Sequence, residues 1–88
     1  MNRKLPRPFE FPWGKGHVVE EVSILRPHWE PTIQLLRYED GEESLRFCYY
    51  HGPRFGRGPM MASLQDLKEL KAQAQHTAPR IFTILSDL

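Results

Sequence analysis

The sequence predicts an α+β domain: a four-stranded antiparallel sheet followed by a C-terminal helix, with a further short helix after Pro79. Three observations carry this expectation. Thr32–Tyr38 and Leu45–His51 are rich in β-formers and flank Asp40-Gly41, a pair that tolerates the positive φ angles of a hairpin turn. His17–Leu25 is another run dominated by valine, isoleucine and leucine. Beyond Ser63 the leucines recur at the spacing of a helix face.

Met1–Gly16 read as an extended arm ahead of a single domain over residues 17–88. Pro6, Pro8 and Pro12 deny the arm a regular helix or a central strand. Arg3, Lys4 and Arg7 precede its first acid, Glu10. Phe9, Phe11 and Trp13 alternate, so an extended arm lays its aromatics along one groove. That groove belongs to the protein's own core, to a neighbouring subunit or to a nucleic acid. In the first strand, Val18, Val22 and Ile24 are expected on one side, with Val19 and Leu25 on the other. Arg26–Pro31 is a connector bounded by two prolines, and its Trp29 either caps one end of the core or stacks on a base.

A two-residue turn centred on Asp40-Gly41 pairs Glu39 with Glu42, Tyr38 with Glu43, Leu36 with Leu45 and Gln34 with Phe47. Paired residues share a face, so Leu36, Tyr38, Leu45, Phe47 and Tyr49 form the expected core side. The other side carries Ile33, Leu35, Cys48 and Tyr50, with Arg37 and Arg46 among them. Gly52–Pro59 is a loop, and Met60–Ala62 is expected as a short fourth strand. Ser63 and Asp66 have the spacing of a capping box at the start of a helix. Leu67, Leu70 and Ala74 make its apolar stripe, and Ile81, Leu85 and Leu88 make that of the short helix opened by Pro79.

At 88 residues the chain is one small domain, for which help from a partner subunit is expected. No apolar run approaches the ~20 residues that span a bilayer, and the basic N-terminus has no apolar segment of a secretory signal. The lone Cys48 supports neither a disulfide framework nor a thiolate cluster, and the expected compartment is cytoplasmic. Net charge is +1, so overall basicity does not point to nucleic acid. The distribution does: no acid occurs from Ser44 to Gln65, a stretch that holds Arg46, Arg54 and Arg57, whereas acids gather at Glu39–Glu43.

Enzymatic chemistry is not visible. His17, His28, His51 and His76 lack a metal-ligand spacing, no nucleophile elbow occurs, and Cys48 lies mid-strand where a buried hydrophobe is usual. Glu39, Glu42 and Glu43 sit in the turn as solvating charges. The expectation is no cofactor, no metal and no catalytic residue. Arg46, Tyr50, Arg54, Phe55 and Arg57, in contrast, interleave phosphate-binding forks with flat stacking faces across a strand end and a glycine-rich loop.

The string GRGPMMASLQDLKEL at Gly56–Leu70 resembles the end of the single-stranded-DNA-binding transcriptional positive cofactor family, related in fold to the Whirly proteins. In outline the likeness runs over Val18–Ala74, and as a motif only over Arg54–Leu70. It implies a ββββα order, a role in transcription and a homodimer whose sheets form a groove for single strands. Arg54, Arg57, Arg46 and Tyr50 would be the contacts. Phe55 and Gly58-Pro59 depart from the family's lysine-rich loop, and neither the aromatic arm nor the second helix is part of its pattern.

The resulting expectation is a non-enzymatic domain that binds single-stranded nucleic acid through Arg37, Arg46, Arg54 and Arg57, with stacking on Tyr50 and Phe55. An assembly module without a nucleic-acid role is the alternative, its arm and second sheet face buried against a partner. A small-ligand pocket lined by the tryptophans is a third.

Overall fold

In the computed structural model, which describes residues 3–88, five antiparallel strands follow one another across a single sheet and two helices close the chain. The strands are β1 (Arg7–Phe11), β2 (Gly14–Ser23), β3 (Glu30–Tyr38), β4 (Glu43–His51) and β5 (Arg54–Phe55), and the helices are α1 (Leu64–Thr77) and α2 (Pro79–Asp87). The α+β class stands, but the strand count is corrected. The second half of the arm is β1, an edge strand, the place where Pro8 can sit without breaking a central ladder. Met60–Ala62 form no strand. That stretch lies on the crossing from the β5 edge to α1, and β5 comes earlier, at Arg54–Phe55.

The hairpin register is also corrected, by one residue. Gly41 N donates to Tyr38 O at 3.0 Å and Tyr38 N to Glu42 O at 2.8 Å, with Gly41 at φ 92°. This is a three-residue loop with glycine in the left-handed position, and Asp40 Oδ1 braces it by accepting from Glu42 N at 2.9 Å. Leu35 therefore faces Leu45, Ile33 faces Phe47 and Gln34 faces Arg46. Because the side-chain period is two, the slip re-sorts the faces. Ile33 and Leu35, not Leu36 and Tyr38, lie on the helix side, where they join Val22, Ile24, Leu70, Ala74, Ala78 and Ile81 in the apolar core.

A bulge at Val19 separates Val18, opposite Leu36, from Val22, opposite Ile33, so these valines occupy different faces rather than one. The bulge also turns Glu20 toward the helices. Its carboxylate accepts from Arg80 N at 3.2 Å and Ile81 N at 2.9 Å, and so caps α2, whose own N-cap Ala78 has no side-chain acceptor. The capping box of α1 forms as expected, with Asp66 N donating to Ser63 Oγ and Ser63 N to Asp66 Oδ2. Arg26 ties the β2–β3 connector to this end of α1 through Asp66 and Glu69. Its guanidinium beside Asp66, aided by the Ser63 amide, holds that carboxyl below the usual range.

Candidate nucleic-acid interface

The sheet face away from the helices is built from alternate residues of all five strands. By register these are Arg7, Phe9 and Phe11 on β1, Val18, Glu21 and Ser23 on β2, and Thr32, Gln34 and Leu36 on β3, with Arg46, Cys48 and Tyr50 on β4 and Phe55 on β5. In a flat sheet β1 and β4 would lie about 14 Å apart. Yet the Arg46 guanidinium is 5.8 Å from the centre of the Phe11 ring and 5.0 Å from that of Phe55. The sheet is thus curled, and this face is concave.

Its floor is buried and polar. Gln34, with no exposed surface, is the hub: Nε2 donates to Glu21 Oε2 at 2.6 Å and to Tyr50 Oη at 3.0 Å, while Oε1 accepts from Arg46 Nε at 2.7 Å. Glu21 also pairs with Arg7 at 3.0 Å, and Glu30 accepts from Arg3 at 2.8 Å and from Ser23 Oγ at 2.6 Å. Burial by itself would raise the Glu30 carboxyl, but its hydrogen bonds, those from Ser23 and Arg3 among them, outweigh it and hold the group below the usual range. Both floor carboxylates are therefore compensated from within, as buried charges must be. Cys48 lies among these groups, where burial pushes its thiol up to about 11 and leaves it unreactive at neutral pH.

Above this floor the rim is aromatic and cationic. Phe11 stacks on Trp13 at 4.8 Å with 22° between the rings, and Phe9 meets Tyr38 edge-on at 5.1 Å. Across the concavity Phe55 meets Tyr50 edge-on at 5.4 Å. Trp13, Phe11, Arg46 and Phe55 form one band, with Trp13 75% and Phe55 47% exposed. Arg46 makes no salt bridge with any carboxylate among the described residues.

The expected site residues are only partly brought together. Arg46, Tyr50 and Phe55 meet on the concave face. Tyr50, however, is 7% exposed, with one ring face covered by Arg3, so it belongs to the floor and offers no open stacking face. Arg37 lies apart, on the helix side, where it and Arg80 share Glu43 and hold its carboxyl below the usual range. Arg54 pairs opposite His51, so it sits on the β5 edge with the other parity, and Arg57 follows in the loop. The loop is fastened by Tyr49 Oη, which donates to the Arg57 carbonyl at 2.7 Å. At Gly56 a Cβ would come within 1.9 Å of the Tyr49 ring, so only glycine lets the loop cross there.

Sequence reasoning missed Arg3, Arg7, Glu21, Glu30 and Gln34 as parts of one site. The available signals were the basic Arg3, Lys4 and Arg7 ahead of the first acid and the alternation of Phe9, Phe11 and Trp13, which laid the arm along a groove without naming its walls. No group of histidines, cysteines and carboxylates able to hold a metal occurs among the described residues, and no helix among them is long and apolar enough to cross a membrane. Comparison with family models, curated proteins and solved structures finds no match to this chain.

Proposed function

We propose that the chain is a non-enzymatic, cytoplasmic binding domain whose concave face takes single-stranded nucleic acid. The observation that carries the reading is the position of Arg46, held by Gln34 between the rings of Phe11 and Phe55 with no carboxylate ion-paired to it among the described residues. A cation flanked by flat apolar faces is the local chemistry of a stacked base beside its phosphate. The floor acids support it, because their compensation by Arg3 and Arg7 removes the repulsion that bare carboxylates would exert on a polyanion. Arg54 and Arg57 add phosphate contacts at the β5 edge. Arg37 is left out, and Tyr50 supports Phe55 from below.

With about three phosphate contacts, log affinity should fall with log salt at a slope of about −2. The test is a fluorescence-anisotropy titration of labelled oligothymidine, with duplex as control, at low and physiological salt. Saturable binding that prefers the single strand and weakens about tenfold in Arg46→Ala is the expected result. No binding at tens of micromolar protein in low salt refutes the reading.

One observation favours assembly instead. Phe47 is 47% exposed on the helix-side face of β4, beyond the cover of α1 and α2, and Met61 and Leu64 are 85% and 78% exposed. A homodimer would bury such side chains. Sedimentation equilibrium of the wild type and of Phe47→Ser tests this, because a dimer lost on that substitution assigns the helix-side face to self-association, and the oligothymidine titration decides whether the concave face binds as well.

A further inference from the structure

Two hairpin turns lie side by side at one end of the sheet. Pro12 and Trp13 join β1 to β2, residues 39–42 join β3 to β4, and Glu39 N donates to Lys15 O at 3.0 Å between them. Here opens a cavity of about 490 Å³, within the range of about 300–1,000 Å³ common to small-molecule sites. None of Arg46, Arg54 and Arg57 lines it. Three rings do, those of Phe11, Trp13 and Tyr38. The Tyr38 ring rests against Gly14, where a Cβ would stand 3.1 Å from it. Phe9 is tilted 42° to Phe11 and 89° to Tyr38, so the Tyr38 ring cannot lie parallel to that of Phe11. The lining rings therefore offer faces in more than one direction, which suits a rounded group better than a flat one.

These rings are not filled by the chain itself. Trp13 stacks on Phe11 on one side and is still 75% exposed. Among the described residues Arg46 approaches Phe11, at 5.8 Å, but no cation lies over Trp13 or Tyr38. The charged lining is Glu10, Glu39 and Asp40 against a single base, Lys15. None of the four forms an ion pair among the described residues. An excess of negative charge repels a phosphate, so this end of the sheet is unsuited to a nucleotide and suited to a cation. Exposed carboxylates gain little from a strongly hydrated ion. A methylated ammonium differs: its methyl groups pack on ring faces while its charge is drawn to their π-electrons.

We infer that this cavity binds a small organic cation through a quaternary ammonium group seated on Trp13 and Tyr38, with Glu10, Glu39 and Asp40 supplying the countercharge. The ligand carries net positive charge, because a zwitterionic headgroup would bring its phosphate to the same carboxylates. The inference does not rest on the nucleic-acid reading, and its test contains no nucleic acid.

The experiment is an NMR titration of the isotope-labelled full-length chain with choline, read at the Trp13 indole N–H, with that of Trp29 as the internal reference. Trp29 packs edge-on against Tyr49 and does not line the cavity. A saturable shift of the Trp13 signal, with Kd on the order of 1–10 mM and Trp29 unmoved, is expected. At equal ionic strength, dimethylbutanol, the uncharged isostere of choline, and ethanolammonium, which lacks the methyl groups, should each bind at least about fivefold more weakly. Phosphocholine should be weaker by a similar factor. Trp13→Ala, at an exposed turn, should weaken choline binding about tenfold, read at the Gly14 amide, and Glu39→Gln about twofold. No saturable Trp13 shift at about 100 mM choline overturns the site. Equal affinity for dimethylbutanol reduces it to an apolar cleft, and equal affinity for ethanolammonium reduces it to a charge effect; either overturns the inference. Phosphocholine binding as tightly as choline overturns the assignment to a small net cation, in favour of a zwitterionic headgroup.

Discussion

Gln34→Leu is the most informative single perturbation of this fold, because the side chain has similar volume but none of the three hydrogen bonds at the hub. Tyr50 Oη, on a residue 7% exposed, loses its partner, at a cost of about 1–3 kcal/mol. Glu21 retains Arg7, and Arg46 can turn toward water, so the two charged bonds are lost only in part. The total comes to about 3 kcal/mol. For a domain of this size, whose whole stability is on the order of 4–13 kcal/mol, that is a large fraction. Urea unfolding followed by tryptophan fluorescence should show the midpoint falling by about 2–3 M, with an m-value near 1 kcal/mol/M left unchanged. Gln34→Glu sharpens the test. It keeps the acceptor for Arg46 but sets a second carboxylate against Glu21, so its penalty relative to wild type should shrink as pH falls toward 4 and the new group protonates. A midpoint shift below about 0.5 M for Gln34→Leu would refute the claim that this network holds the concave face together.

Glu20→Ala should cost about 1–2 kcal/mol, since it removes the side-chain cap of α2, and hydrogen exchange should speed at the Arg80 and Ile81 amides. Unchanged exchange there would mean that the cap is idle. Glu30, Glu43 and Asp66 all have folded-state values below their ordinary ones. Their contribution is complete above the ordinary carboxylate range and is lost as pH falls through the lowered values, so Tm should drop steeply below about pH 4. Glu43→Gln should flatten part of that slope, and a parallel profile would show that the Arg37 and Arg80 pairs contribute nothing.

Local patterns in the sequence determined much of this protein. The hairpin around Asp40-Gly41, the Ser63 capping box and the helix opened by Pro79 each depend on residues within a few positions of one another, and their chemistry is readable in order. Which side of the sheet meets the helices was not readable. Gly41 takes the left-handed position of a three-residue loop, and Val19 bulges out of the β2 ladder. Each adds one residue to a period of two, and a single residue is enough to reverse a face. The site was legible only as a basic, aromatic stretch around Arg46 and Phe55. Phe11 and Arg3 lie far off along the chain and meet Arg46 or Tyr50 only because the sheet curls, whereas Gln34 faces Arg46 through the corrected hairpin register. Curl is a property of all five strands together, so no local pattern announces it, and tertiary structure alone decided that Tyr50 is a floor and Arg46 a rim.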